Sequence, residues 1–81
     1  MGPVQIRFGR SARKHRIGKV RARFVMENSQ PSFVPATDER DQQLQWIGID
    51  QNGVELEIVA VEKPDALLVI HVMPTHFRRR G

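Results

Sequence analysis

The chain has no cysteine and no tyrosine, and only one tryptophan. Without cysteine no disulfide can staple the fold, which is compatible with a reducing compartment, and no thiolate is available as nucleophile or metal ligand. No apolar run approaches the roughly 20 residues that a membrane-spanning helix needs. The early basic residues are not followed by an apolar stretch, so a secretory signal is not expected. The most informative shortage is of one sign of charge: Met1 to Met26 holds no Asp or Glu.

What that segment does hold is eight cations, Arg7, Arg10, Arg13, Lys14, Arg16, Lys19, Arg21 and Arg23. From Glu27 to Phe77 the balance reverses, with all nine acids against Arg40 and Lys63. Arg78, Arg79 and Arg80 then add three cations. The net charge of +4 therefore hides a cationic segment and a cationic tail around an acidic middle. Such separation points to a polyanion, most often a nucleic acid.

The length of 81 residues fits one domain, 1–81, with a basic tail at 78–81. An apolar content of 40% with four Phe makes it a folded globular chain rather than a disordered basic one. Val4, Ile6 and Phe8 alternate, which predicts a first strand over Pro3–Phe8. Ser11 can cap a short helix over Ala12–Ile17, with Gly18 at its end. Ile17, Val20, Phe24 and Val25 then line one face of a second helix over Lys19–Asn28, with Arg13, Arg16, Arg21 and Arg23 turned to solvent. Two prolines limit Gln30–Pro35 to an edge strand, and Ala36–Gln43 reads as a loop. Strands follow at Leu44–Ile49, Val54–Val61 and Ala66–Met73, joined at Asn52-Gly53 and Lys63-Pro64-Asp65. The expected fold is α+β, a small antiparallel sheet of four to five strands with two N-terminal helices on one face.

Loop lengths fix which side chains share a face. A two-residue Asn52-Gly53 loop pairs Gln51 with Val54, and a 63–65 loop pairs Glu62 with Ala66. Ile47, Ile49, Val54, Leu56, Ile58, Ala60, Leu68, Ile70 and Val72 then form the apolar face that receives the helices. The opposite face carries Trp46, Gly48, Asp50, Glu55, Glu57, Val59, Val61, Leu67, Val69, His71 and Met73. There Glu57 lies between Gly48 and His71, within the 4.5–5.5 Å or so that separates cross-strand Cβ atoms. A carboxylate beside an imidazole orients the ring, as an acid/base pair needs. The plainer reading is a polar pair on a half-exposed sheet, and a slip of one residue would remove it.

Other candidates divide in the same way. Arg13-Lys14-His15-Arg16 can clamp phosphates or be a solvated helix face. His15, His71 and His76 match no zinc spacing, and no metal or cofactor is expected. Trp46 can stack a base or pack in the sheet. Arg78, Arg79 and Arg80 can bind phosphate or form a frayed soluble tail. There is no Gly-rich phosphate loop and no Ser/His/Asp set at a nucleophile turn.

Arg13-Lys14-His15-Arg16-Ile17, then a second helix, Glu39-Arg40, a strand ending Trp46-Ile47-Gly48, a Val- and Leu-rich strand and a last strand before a basic end form a familiar order. It resembles the BrnT-like toxins of the RelE ribonuclease superfamily, over about Ser11 to Arg80. Lys14, His15 and Arg40 match positions of that family. The chain departs from the pattern at His71-Val72-Met73-Pro74, where the family carries a basic motif. It also has no tyrosine, and no arginine in its three C-terminal strands. The resemblance implies a cytoplasmic endoribonuclease of a type II toxin–antitoxin pair, acting on messenger RNA free or on the ribosome. A cognate antitoxin would be its partner, and the assembly would be a homodimer or a heterotetramer with the antitoxin. Cleavage in such enzymes is metal-independent: the 2′-hydroxyl attacks the adjacent phosphate, cations stabilise the charge that develops, and a donor protonates the leaving 5′-oxygen. Here the cations would be Arg13, Lys14, Arg40 and the tail, with His71 or His76 as proton carrier and Glu57 as orienter or base. Two other readings stand beside it: a non-catalytic nucleic-acid- or ribosome-binding domain on the same scaffold, and a structural protein whose mixed sheet face binds a partner chain.

Overall fold

A computed structural model describes residues 5–79. It is a small α+β fold with five strands: β1 (Gln5–Phe8), β2 (Ser32–Val34), β3 (Gln43–Ile49), β4 (Glu55–Glu62) and β5 (Ala66–Pro74). One α-helix, α1 (Lys19–Asn28), lies between β1 and β2. Short 3-10 helices span Arg10–Arg13 and Thr75–Arg79. The sheet order is β1-β5-β4-β3-β2.

Two fold expectations are corrected. The sheet is mixed, because β1 pairs in parallel with β5, Gln5 opposite Ala66 and Phe8 opposite Val69. Parallel pairing needs a crossover connection, and the whole α1–β2–β3–β4 excursion supplies it. The predicted first helix over Ala12–Ile17 is instead one 3-10 turn that ends at Arg13. Arg16 has φ 58, a left-handed conformation that ends helical propagation for an L-residue.

The core lies between α1 and one face of the sheet. Leu56, Ile58, Ala60, Val69 and Val72 meet Ala22 and Val25 there, all fully buried, with Trp46 and Ala12 beside them. Burying each of the larger aliphatic side chains is worth about 1.5–3 kcal/mol. The face that α1 buries differs from the predicted one. Ala22 and Val25 are buried, whereas Val20 is 72% exposed and Phe24 lies outward too. Arg21 also turns inward, where its Nε donates to Asp50 Oδ2 at 2.7 Å. The helix sits close to the sheet because Gly48 has no side chain. A Cβ there would meet Ser29 Oγ at 3.1 Å and Val25 Cγ1 at 3.2 Å. The helix ends where Ser29 Oγ donates to the Val25 carbonyl and Asn28 Nδ2 to the Phe24 carbonyl, which occupies two of the carbonyls a helix C-terminus leaves open.

Both hairpin loops differ by one residue from expectation. The β3–β4 loop has three residues, Gln51-Asn52-Gly53, because Asp50 pairs with Val54 through Asp50 N–H to the Val54 carbonyl at 2.9 Å. Asp50 Oδ1 accepts from the N–H groups of Asn52 (2.8 Å) and Val54 (3.0 Å). Within this loop only Gly53 takes positive φ, at 79, so the two-residue turn with two left-handed positions does not form. The register becomes Trp46 opposite Ile58 and Ile47 opposite Glu57. That slip turns β3 over. Trp46 and Gly48 face the helix, and Ile47 and Ile49 are about half exposed on the open side. The β4–β5 loop is the shorter one, since Lys63 N–H donates to the Ala66 carbonyl at 2.8 Å, leaving Pro64-Asp65 between them.

Candidate active site

The strand β5 carries one extra residue. Ala60 lies opposite Val69, but Val59 lies opposite His71, so Ile70 is a bulge. Bulges re-aim the side chains that follow them. Without this one His71 would lie opposite Ile58 and point into the core. With it, His71 shares the open face with Glu57. The expected pair therefore forms, but diagonally: Met73 lies directly opposite Glu57, and His71 Nε2 reaches Glu57 Oε2 at 3.2 Å. At this geometry Nε2 makes no hydrogen bond, and the contact becomes an ion pair when the ring takes up a proton. Gly48 is not beside Glu57; it lies opposite Leu56 on the helix side.

Glu57 is buried although it belongs to the open face, whereas the His71 side chain is 33% exposed. Two segments close over this end of the sheet. The 3-10 helix Arg10–Arg13 is tied to the bulge, because Ser11 Oγ donates to the Ile70 carbonyl at 2.6 Å and Gly9 N–H to the Val69 carbonyl at 2.9 Å. The turn that follows, closed by Arg16 N–H to the Arg13 carbonyl at 3.1 Å, brings His15 to His71. Their ring centroids are 6.5 Å apart at 82°. From the other side Thr75–Arg79 folds against β4 and β5, and Thr75 Oγ1 donates to Glu55 Oε1 at 2.6 Å. Phe77 meets the His15 ring edge-on at 5.5 Å, and His76 meets Phe77 at 4.7 Å. Edge-to-face ring pairs of this kind stabilise by about 0.5–1.5 kcal/mol each.

The structure thus gathers Glu57, His71 and His15, with His76 one ring further out. Arg13, Lys14 and Arg16 flank His15 and are exposed, open to an anion. Arg40 lies elsewhere. Its carbonyl accepts from Thr37 N–H at 2.9 Å, and its neighbours Asp41 and Gln42 reach Lys63 and Glu62. Glu62 is five residues along β4 from Glu57, or roughly 16 Å at 3.3 Å per residue. The side chains of Arg78 and Arg79, and all of Arg80, lie outside the described residues. Trp46 is buried and cannot stack a base.

A depression of about 290 Å³ lies at the far end of the sheet, lined by Gln5, Glu62, Lys63, Pro64, Asp65 and Leu67 among others. Its lining holds no imidazole. Among the described residues no three His, Asp or Glu side chains gather as metal ligands, and no helix is long and apolar enough to cross a membrane. No family model, curated protein or solved structure matches the chain.

The place of His15 in this cluster is not evident from the sequence, where it reads as one of the phosphate-binding group Arg13-Lys14-His15-Arg16. The available signal was Ser11: a hydroxyl four residues before His15 can anchor the turn to a neighbouring strand as readily as it caps a helix.

Proposed function

We propose that this chain is a metal-independent endoribonuclease, the toxin of a type II toxin–antitoxin pair. The observation that carries the reading is the buried Glu57 held against a part-exposed His71 at the place where the acid-free segment folds onto the sheet. In this reading His71 takes the proton of an RNA 2′-hydroxyl. Glu57 compensates the charge that the ring gains, which is the electrostatic part of what the carboxylate of a catalytic triad does. Arg13, Lys14 and Arg16 hold the phosphate and stabilise the charge that develops on it. Arg40, at the other end of the sheet, takes no part in the chemistry of this reading. The sequence resemblance to BrnT-like toxins motivates the same reading, and the exposed Ile47 and Ile49 would offer a face to an antitoxin.

Expression without a partner tests it. Growth should stop and cellular RNA should be cut, and Glu57→Ala or His71→Ala should relieve both. Toxicity that is unchanged in both variants would remove the site assignment. The exposed cations beside His15 favour a second reading, an RNA-binding domain without catalysis. In that case RNA affinity falls steeply with salt, because each neutralised phosphate releases counterions, while RNA stays intact.

A further inference from the structure

We propose that His15 is the general acid of this site and that His76 takes no proton in the reaction. The assignment rests on the ribonuclease reading above. An in-line transesterification has two proton transfers at opposite ends of one phosphodiester, so it uses two proton carriers set apart, not one. Glu57 sits against Nε2 of His71 and would compensate the charge that this ring gains as a base, so the proposal gives the base's part to His71 and the acid's part to a second carrier. The second carrier must stand within reach of the same phosphate. His15 does: its ring centroid is 6.5 Å from that of His71, and each imidazole reaches an oxygen at about 2.6–3.2 Å. His76 is exposed and meets Phe77 rather than His71.

The position of His15 is over-determined in a way that a solvated basic residue would not need. Ser11 pins the preceding turn to the β5 bulge. Arg16 holds φ 58 to close the turn that presents His15, and non-Gly residues in that region cluster at functional sites. Phe77 packs on the ring from the other side.

The step balances without oxidant or metal. His71 removes the 2′-hydroxyl proton. The O2′–P bond forms as the P–O5′ bond breaks. Protonated His15 gives its proton to the 5′-oxygen. The products are a 2′,3′-cyclic phosphate and a 5′-hydroxyl, and proton exchange with water resets both rings.

The test compares two RNA oligonucleotides, one ordinary and one with sulfur in place of the leaving 5′-oxygen. Sulfur leaves without protonation, so it removes the need for an acid and not for a base. His15→Asn should cut the ordinary substrate about 10²–10⁴-fold more slowly and the sulfur substrate within about tenfold of the native chain. His71→Asn should lose both, and His76→Asn neither. Cleavage of the sulfur substrate by His15→Asn also reports that the variant is folded. Equal losses on the two substrates would reduce His15 to a binding or packing residue, and a fully active His15→Asn would overturn the assignment outright. Either result leaves the ribonuclease reading standing, whereas a native chain that cuts neither substrate overturns both.

Discussion

Asp50 and Glu57 are the two buried acids among the described residues, and they sit three residue pairs apart in the same hairpin, on opposite faces of the sheet and against different partners. Asp50 is enclosed by donors. Arg21 Nε bonds one oxygen, and the N–H groups of Asn52 and Val54 bond the other. Burial alone would raise its pKa. The hydrogen bonds from Val54, Arg21 and Asn52, with the guanidinium charge, outweigh that and hold the carboxyl below its ordinary value. Glu57 instead faces an imidazole that is open to solvent on its other side. A buried acid saturated by backbone donors and a guanidinium holds a loop in shape. A buried acid against a half-open histidine can assist a proton transfer.

Substitutions at and around the two acids separate their roles. The largest effect is expected on catalysis. Glu57→Gln keeps the volume but loses the charge that supports His71, and RNA cleavage should fall by about 10²–10⁴-fold, as read by single-turnover cleavage of a labelled RNA. The largest effect on stability is expected at the other acid. Asp50→Ala leaves Arg21 and two turn N–H groups without their acceptor and should destabilise by about 3 kcal/mol, as read by urea unfolding. Next comes Gly48→Ala, whose Cβ meets Ser29 Oγ at 3.1 Å. Moving α1 to make room should destabilise by about 1–2 kcal/mol. Gly53→Ala forces φ 79 on a residue with a Cβ and should destabilise by about 1 kcal/mol.

A final prediction concerns pH. A carboxyl whose folded pKa is depressed stabilises the fold above its unfolded pKa, near 3.8 for Asp50, and that contribution disappears as pH falls through the lower, folded value. Acid unfolding of the native chain below about pH 4 should therefore be shallower in Asp50→Asn. Unfolding midpoints measured across that range would show it.

The same hairpin shows what was legible in the sequence. The strands were legible, because alternation in β1, β4 and β5 is a property of the residues themselves. The register was not. Asn52-Gly53 is a strong two-residue turn signal, but the Asp50 side chain bonds forward to Asn52 and Val54 and adds a residue to the loop. One residue turned Trp46 inward and Ile47 and Ile49 outward. Glu57 and His71 still met, because the shorter Pro64-Asp65 loop and the Ile70 bulge reset β5 by the amount needed. The faces of β4 and of His71 and Met73 thus matched expectation, while β3 and the first half of β5 did not. The parallel pairing of β1 was illegible for another reason: a four-residue strand carries no mark of its neighbour. In α1 the apolar residues Val20 and Phe24 outweighed Ala22 on any hydropathy reading, yet small size at Ala22 and Gly48 decided which side could approach the sheet.

The most direct test of the account measures RNA cleavage and urea stability on the same samples of Glu57→Gln and Asp50→Asn. A double dissociation is expected. Glu57→Gln should lose cleavage by at least about 10²-fold while its stability stays within about 1 kcal/mol of the native chain. Asp50→Asn should lose stability and keep its rate under conditions where it is folded. Cleavage that survives Glu57→Gln, or a stability loss there as large as at Asp50, would contradict the assignment of the two acids.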